Sequence, residues 1–247
     1  MVKIPTDWSF TIVTVPFPFT GRNGTRQRNA IKSWMLLMPR PEIIVMGVEA
    51  GVREIAGEYG LRHIGNIGRN QCGDLDCADI LQKAQDAATY NDIVYMDCDV
   101  ILMPNFPAAL HYAAVHYPQY TLISGRWEMS TPRVELSFSP GWEKHVTAKI
   151  FRHIEYGTDF HAFPKGLYDK LPDFSIGAGA WDGWMIWYAA QRGAAVVRMD
   201  DCKAAIHMWH WPRILVRRGK RRNERLAGTH KLWVPDATIK LTPELLR

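Results

Sequence analysis

The sequence has no apolar run of the roughly 18 residues that a membrane span requires. It has four cysteines in 247 residues, and neither their number nor their spacing is that of a disulfide framework or a zinc ribbon, so we expect reduced thiols. Its first ten residues hold one basic residue, Lys3, together with Pro5 and Asp7, which is not the pattern of a signal peptide. These absences predict a cytoplasmic protein. The cysteines are Cys72, Cys77, Cys98 and Cys202.

The basic charge of the chain is concentrated in one segment near its C-terminus. Apolar residues make up 47% of the chain and charged residues 22%, as in ordinary globular proteins. The net charge is +5. One short segment contains seven basic residues and a single acidic one, Glu224, and this excess accounts for the net charge of the chain. The segment indicates either an anionic partner, such as nucleic acid, or a solvated surface. Its basic residues are Arg213, Arg217, Arg218, Lys220, Arg221, Arg222 and Arg225.

Strand-like and helix-like segments alternate along the first half of the chain. Short β-branched runs predict strands at 9–15, 42–47, 62–67 and 91–96, and helical spacing of apolar residues predicts helices at 25–37, 51–59 and 75–89. In the second half we expect strands at 120–124, 160–163, 194–199 and 204–207, and a helix at 181–191. The alternation predicts one α/β domain with a mostly parallel sheet flanked by helices. Ligands bind such sheets at the carboxyl ends of the strands.

Two aspartates, Asp97 and Asp99, follow the predicted strand 91–96. Residues two apart on a strand point to the same side, so the Asp97-Cys98-Asp99 segment could present two carboxylates to one hard cation and, through it, to a diphosphate. An acidic strand end facing water is the simpler interpretation. A second Asp-x-Asp triplet, Asp74-Leu75-Asp76, falls at a predicted helix start, where carboxylates serve as caps.

Histidines near the last predicted strand are candidates to complete such a cation site. His207 ends the segment 204–207, and imidazole can bind Mn²⁺ beside carboxylates. His210 competes with it for this role, and either histidine could instead be structural. Trp209 and Trp211 flank His210 and could form the wall of a ligand site.

Asp182 lies at the predicted start of the tryptophan-rich helix. One interpretation makes it a general base that deprotonates an acceptor hydroxyl. The other makes it a carboxylate that the helix dipole stabilises, which would lower its pKa and weaken it as a base. The residues alone leave both open.

An ordered set of motifs resembles the glycosyltransferases of the GT-A fold, in particular family 2-like bacterial and viral sugar transferases. The resemblance covers about residues 9–212 and departs from the family at Gly183, where Asn is more usual. It would divide the chain into a nucleotide-binding half, about 9–103, an acceptor half, about 104–212, and a basic C-terminal extension, 213–247, outside a domain spanning 1–212. Its motifs are Val13-Thr14-Val15-Pro16, Gln27-Arg28-Asn29-Ala30-Ile31-x-Ser33-Trp34, Asp97-x-Asp99, Phe163-Pro164-Lys165-Gly166-Leu167, Trp181-Asp182-x-Trp184 and Ala205-Ile206-His207.

The resemblance implies an inverting hexosyl- or pentosyltransferase that uses a nucleoside-diphosphate sugar, usually a UDP-sugar, with Mn²⁺ or Mg²⁺. It would make Asp99 the main metal ligand, helped by Asp97 and His207, and Asp182 the catalytic base. It would also place the protein in a bacterium or a virus-infected cell. The implied donor-binding residues are Thr14, Val15, Pro16, Arg28, Glu49, Asp97, Cys98, Arg126 and Trp127.

The acceptor and two other functions stay open at this stage. The acceptor would be a hydroxyl on a glycan or, given the arginine-rich segment, on a hydroxymethylated base in DNA. Such a base would have to be flipped out of the duplex, and an aromatic side chain such as Trp209 or Trp211 could support it. A nucleotidyltransferase is less favoured, because no glycine-rich Lys/Arg loop follows the first strand. A catalytically inactive nucleotide-sugar-binding protein is the third alternative.

Overall fold

A computed structural model describes residues 3–155, 158–210, 217–230 and 239–246. Its larger sheet has eight strands, whose spatial order is β12-β10-β6-β9-β4-β1-β2-β3. These strands are β1 (Thr11–Thr14), β2 (Glu42–Met46), β3 (Arg62–Ile64), β4 (Asp92–Met96), β6 (Tyr120–Ile123), β9 (Phe160–Pro164), β10 (Ala195–Arg198) and β12 (Ile239–Lys240).

The larger sheet is parallel except at β9, which runs antiparallel to both of its neighbours, β4 and β6. The parallel pairing of β1 with β2 and β4 brings the carboxyl ends of these strands to one edge. The prediction of a mostly parallel sheet is therefore confirmed. The antiparallel β9 lies directly beside β4, and its position decides which side chains face the residues that follow β4.

Successive residues of the central strands face two separate hydrophobic cores, as expected from the alternation of side chains along a strand. Ile12 packs with side chains of α1, α2 and α4, whereas Val13 packs with those of α3 and α6. The sheet is thus covered by helices on both faces. The helices are α1 (Gly21–Met35), α2 (Val52–Tyr59), α3 (Cys77–Ala87), α4 (Phe106–His116), α5 (Trp142–Thr147), α6 (Trp181–Gln191) and α7 (Arg217–Ala227).

A second, four-stranded sheet has the order β5-β11-β7-β8. Its strands are β5 (Val100–Leu102), β7 (Arg126–Met129), β8 (Ile150–Ile154) and β11 (Ala205–Met208). Only β11 of these was predicted. β5 begins one residue after Asp99, so the second sheet is built directly onto the end of β4.

The described part of the chain beyond residue 212 belongs to the same fold. β12 pairs in parallel with β10 at the edge of the larger sheet, and Ala227 of α7 is buried in the core that contains α6. The boundary at 212 remains a prediction, but these contacts join the described part of the basic segment to the domain. Among the described residues, no helix is both long and apolar enough to cross a membrane.

Candidate functional site

Backbone pairing between β5 and β11 brings His207 next to Asp99. His207 lies opposite Val100 in this antiparallel pair, and the Met208 N–H donates to the Asp99 carbonyl oxygen at 3.0 Å. His210, three residues later, lies beside the same Asp99 carboxylate. The residues are more than a hundred positions apart in sequence, and the small sheet is what joins them.

Asp99, His207 and His210 offer three ligand atoms that all lie within 4.8 Å of one another. The Asp99 Oδ2 atom is 3.0 Å from His210 Nε2 and 3.7 Å from His207 Nε2. Asp99 and His207 are buried, at 6% and 5% exposure, whereas His210 is partly exposed. A carboxylate and two imidazoles suit Mn²⁺ and comparable divalent ions. This donor set therefore fits a metal site, with both of the competing histidines in it.

The pKa values of the Asp99 and Asp97 carboxyl groups are shifted in opposite directions. Burial alone would raise the pKa of Asp99, but His207 and His210 outweigh burial and lower that pKa to about 2. Burial raises the pKa of Asp97 well above its usual range, and the charges of Asp99, Asp159 and Asp182 raise it further. Negative charge is thus crowded around Asp97, as is expected where a cation is to be held.

Glu128, on β7, stands behind His207. Its Oε1 atom is 3.9 Å from His207 Nδ1, and its other oxygen accepts from Arg152 Nε at 2.7 Å. Glu128 is 2% exposed. Carboxylates behind metal-binding imidazoles orient the ring by accepting a hydrogen bond from it; the 3.9 Å separation is longer than a hydrogen bond, so Glu128 is a buried neighbour of His207 and not a bonded partner. Sequence analysis missed Glu128, because β7 was not predicted.

Asp182 lies in the first turn of α6 and faces a buried histidine that sequence analysis also missed. Its Oδ1 atom is 3.8 Å from Nε2 of His161, on β9. The same imidazole nitrogen is 3.2 Å from Thr158 Oγ1. The centroid of the His161 ring is 5.6 Å from that of the Trp181 ring. The charge of Asp182 is also among those that raise the pKa of Asp97, so the two carboxylates are near enough to interact.

Arg126 and Trp127, predicted near the donor sugar, begin β7. Arg126 forms an ion pair with Asp159, with Nε donating to Oδ2 at 3.0 Å. Asp159 raises the pKa of the Arg126 guanidinium above its usual value, and its carbonyl oxygen accepts from the Asp97 N–H at 2.9 Å. Trp127 is held by its indole N–H, which donates to the Asp200 carbonyl oxygen at 2.8 Å. Arg126 is therefore the positive charge beside Asp97.

The loops after β1, β2 and β3 meet beside this site. A Cβ added at Gly47 would contact Ile67 at 3.5 Å and Val15 at 4.0 Å. Thr14 and Pro16 are buried and Val15 half-buried, and Glu49, also half-buried, lies in the loop after β2. Cys98 is buried between the two aspartates. The segments after β1, β2 and β3 therefore meet at the carboxyl edge of the sheet, and the donor-binding roles of their residues stay predictions.

The motif in α1 fixes the chain segments that follow β1 and Asp99. The Gln27 side chain donates to the Phe17 carbonyl oxygen at 2.9 Å and accepts from the Phe17 N–H at 2.6 Å. Ser33 Oγ accepts from the Leu102 N–H at 3.0 Å, and the Trp34 indole donates to the Val100 carbonyl oxygen at 2.8 Å. These residues hold the loop after β1 and the strand after Asp99 in place.

Arg28, predicted near the nucleobase, points to the partly exposed side of α1. Its Nη1 atom is 2.8 Å from Glu58 Oε1 and 3.1 Å from the Tyr59 hydroxyl. Arg26, which was not predicted, is 7% exposed, and its charge helps to lower the pKa of Asp99. The structure therefore brings Arg26, rather than Arg28, close to the carboxylate cluster.

The second Asp-x-Asp triplet has the capping role expected for it. Asp76 is the N-cap of α3 and accepts from the Ala78 N–H at 2.9 Å. Asp74 accepts from Ser175 Oγ at 2.8 Å.

The basic segment divides into residues that pack and residues that face solvent. Arg222 forms an ion pair with Asp173, whereas Lys220, Arg221 and Arg225 are exposed on α7. Trp211 and Arg213 lie outside the described residues, and the side chains of Arg217 and Arg218 do as well. Trp209, which precedes His210, is half-buried, and its ring centroid lies 6.5 Å from that of Phe151.

Comparison with known proteins gives a match in structure alone. No family model matches the sequence, and neither does any curated protein. The fold is similar to that of glucosyl-3-phosphoglycerate synthase from Mycobacterium tuberculosis, which was solved with Mn²⁺, UDP and phosphoglyceric acid. The TM-score is 0.56 at 15% identity, covering 93% of this chain and 80% of that one.

Two further solved structures resemble the chain less closely. A nucleotide-diphospho-sugar transferase assigned as putative, from Desulfovibrio desulfuricans G20, has a TM-score of 0.43 at 12% identity, over 77% of this chain and 80% of that one. Residues 1–349 of S. aureus TarS have a TM-score of 0.39 at 11% identity, over 53% of this chain and 39% of that one. The first comparison and the sheet order confirm the predicted α/β fold of the GT-A type.

Proposed function

We propose that the protein is a metal-dependent glycosyltransferase that moves a sugar from a nucleoside-diphosphate sugar to a hydroxyl group. The observation that carries this proposal is the convergence of Asp99, His207 and His210 at the carboxyl end of β4, with Asp182 close enough to act electrostatically on Asp97. A cation site next to a second, partly exposed carboxylate provides both a place for a diphosphate and a base. The solved relative with Mn²⁺ and UDP supports this choice of donor and ion.

The residues present fit a divalent ion, which when bound would neutralise the charge that develops on the departing diphosphate. Asp99, His207 and His210 would hold it, with Asp97 beside them. Arg126 would add positive charge at the same side of the site. Arg26 joins the proposed donor-binding set because its charge acts on Asp99. The other members of this set are Trp127, Thr14, Val15, Pro16, Arg28, Glu49 and Cys98.

Asp182 would act on the acceptor. Its carboxylate is partly exposed, so it can meet a substrate hydroxyl. It would take the hydroxyl proton as the oxygen bonds to the anomeric carbon, while the bond from that carbon to the phosphate oxygen breaks and the nucleoside diphosphate leaves with the electron pair. Alignment and proton removal would supply much of the rate. We propose inversion at the anomeric carbon, which NMR of the first product formed would test; a retained configuration would contradict it.

The acceptor hydroxyl would belong to a glycan or to a hydroxymethylated base in DNA. A glycan is the usual acceptor of such enzymes. The exposed Lys220, Arg221 and Arg225 are the reason to test DNA as well, because contacts with phosphates release counterions and make binding depend on salt. A gel shift of duplex DNA at about 50 and about 200 mM salt distinguishes a DNA acceptor from a glycan acceptor. Retention that weakens with salt supports DNA as the acceptor, and no retention at the lower salt concentration excludes DNA.

A direct screen tests the function itself. UDP, GDP and their sugars would be added with Mn²⁺, and thermal unfolding followed, because a ligand that binds only the folded chain raises its apparent stability. Release of nucleoside diphosphate identifies a glycosyltransferase, whereas release of pyrophosphate from a nucleoside triphosphate and a sugar phosphate identifies the nucleotidyltransferase alternative. Binding with no turnover, even with water as acceptor, identifies an inactive sugar-nucleotide-binding protein.

A further inference from the structure

The loop that leads into α6 has an unusual backbone. Gly177, Gly179 and Ala180 have positive φ angles of 73°, 69° and 68°. Glycine adopts such angles without strain, but alanine does not. Ala180 is the residue before Trp181 and Asp182, so the strained residue directly precedes the proposed base. A conformation of this kind persists only where surrounding contacts hold it.

Asn223, on α7, makes contacts that hold this loop. Its side chain is fully buried, at 0% exposure. Its Oδ1 atom accepts from the Ser175 N–H at 2.8 Å, and its Nδ2 atom donates to the carbonyl oxygens of Ser175 and Gly179, each at 2.9 Å. One amide side chain thus binds the loop at two points, the second of them one residue before Ala180.

Neighbouring contacts connect the same loop to the region after β3. Ser175 Oγ donates to Asp74 at 2.8 Å and accepts from Asn70 Nδ2 at 2.9 Å. A Cβ at Gly219 would lie 2.9 Å from Ser175 Cβ and 3.1 Å from Ala178 Cβ, so α7 approaches the loop closely. The helix from the basic segment therefore packs on the loop before Asp182 rather than standing apart from the domain.

We propose that Asn223 is a positioning residue for Asp182, an inference that rests on the proposed function. Asn223 has no exposed surface with which to meet a substrate, so it acts through the loop. By holding the Ser175 and Gly179 backbone, it fixes the start of α6 and with it the place of the carboxylate relative to the acceptor. A displacement of about 1 Å at a reacting group can lower a rate about a hundredfold.

The test compares Asn223→Ala and Asn223→Asp with a control, Leu226→Ala, on the same helix. The aspartate variant has nearly the same shape and still accepts from the Ser175 N–H. It has no donor when ionised and one when protonated, so it cannot donate to both carbonyl oxygens. Leu226 is exposed. Each full-length variant is assayed for amide hydrogen exchange, for thermal unfolding and for UDP release from UDP-glucose with Mn²⁺ and water as acceptor.

Positioning predicts faster exchange at residues 178–182 in both Asn223 variants and not in Leu226→Ala. It also predicts at least a tenfold lower kcat with the KM for UDP-glucose changed less than about twofold. Unchanged exchange at residues 178–182, or kcat equal to that of the wild type, would overturn the inference. A general loss of protection across the chain in both variants would also overturn it, because Asn223 would then serve the whole fold.

The two proposals fail in different ways. Wild-type protein that neither binds UDP with Mn²⁺ nor releases it would contradict the proposed function. The local exchange pattern would still decide whether Asn223 holds the segment that carries Asp182. Normal wild-type turnover with an unaffected Asn223→Asp variant would contradict the positioning role alone.

Discussion

The imidazole of His161 faces the carboxylate of Asp182, with Nε2 3.8 Å from Oδ1. His161 is 1% exposed, whereas the Asp182 side chain is 27% exposed. The histidine thus stands on the protein side of a carboxylate that reaches solvent. The separation is longer than a hydrogen bond, so the imidazole can fix the place of the carboxylate by packing beside it.

Replacement of His161 is therefore expected to slow turnover without weakening donor binding. We expect His161→Phe to lower kcat roughly tenfold to a hundredfold, because Asp182 loses the group that faces it. Phe163→Leu is the control, since Phe163 is also fully buried on β9 and its change should affect stability only. Wild-type kcat in His161→Phe would show that the histidine has no part in the reaction.

Asp182 itself is expected to be needed for transfer and not for donor binding. Asp182→Asn keeps the shape of the side chain but cannot take a proton, so turnover should fall roughly 10²- to 10⁴-fold. Calorimetry with UDP and Mn²⁺ should give an affinity close to that of the wild type. A variant with full turnover would contradict the assignment of Asp182 as the base.

Gly125, before Arg126, has no room for a side chain. A Cβ there would lie 2.6 Å from Asp200 Oδ1 and 2.7 Å from His153 Nε2. We expect Gly125→Ala to lower the free energy of unfolding by about 1–3 kcal/mol, as measured by urea denaturation. Gly57→Ala is the matched control: it lies in α2 with nothing within 4 Å of the added Cβ, and we expect it to stabilise the protein by about 0.5–1 kcal/mol. Equal effects of the two changes would contradict the packing described.

Asp200 is expected to contribute to stability at neutral pH and not in acid. Burial would raise its pKa, but hydrogen bonds and charge from Arg198 and a bond from the Gly125 N–H outweigh burial and lower it. A carboxylate whose pKa is lower in the folded chain stabilises the fold above its unfolded pKa, about 3.9, and this contribution is lost as the pH falls through the folded pKa.

Asp200→Asn should therefore lower the urea midpoint at pH 7 and have a smaller effect at about pH 3. The exposed Asp201 provides the comparison, and Asp201→Asn should have little effect at either pH. A midpoint difference for Asp200→Asn that stays constant between the two pH values would contradict the role of the Arg198 contact.

Seven of the eight strands of the larger sheet could be predicted from the sequence, because most of them are apolar runs; β12 was not predicted. The prediction of β4 at 91–96 agrees closely with Asp92–Met96, and that of α6 at 181–191 agrees at both ends. The strands β5, β7 and β8 were not predicted. Strand β5 has three residues, and β8 has exposed positions at Phe151, Arg152 and His153. Such segments become strands through pairing with distant partners, which a local pattern does not reveal.

The residues of the candidate site could also be predicted only in part, because some of them are brought together by pairing between distant strands. Asp97, Asp99, Asp182 and His207 could be chosen because they end or begin predicted elements. His161 was missed because it is a single polar residue in a buried strand, and Glu128 was missed because its strand, β7, was not predicted. Only the pairing of β9 with β4 and of β7 with β11 brings them to the site. Asn223 was hidden in a run of arginines, where charge rather than packing dominates the pattern.

The most direct test of the proposed metal site is calorimetry of UDP binding with and without Mn²⁺, in wild-type protein and in Asp99→Ala. Asp99 joins the two histidines, so its removal should abolish the Mn²⁺-dependent part of UDP binding. Exposed Asp201→Ala should leave that part unchanged. Binding of UDP that requires Mn²⁺ in the wild type and loses this requirement in Asp99→Ala is the predicted result. Identical Mn²⁺-dependent binding in both proteins, or no UDP binding by the wild type, would contradict the account.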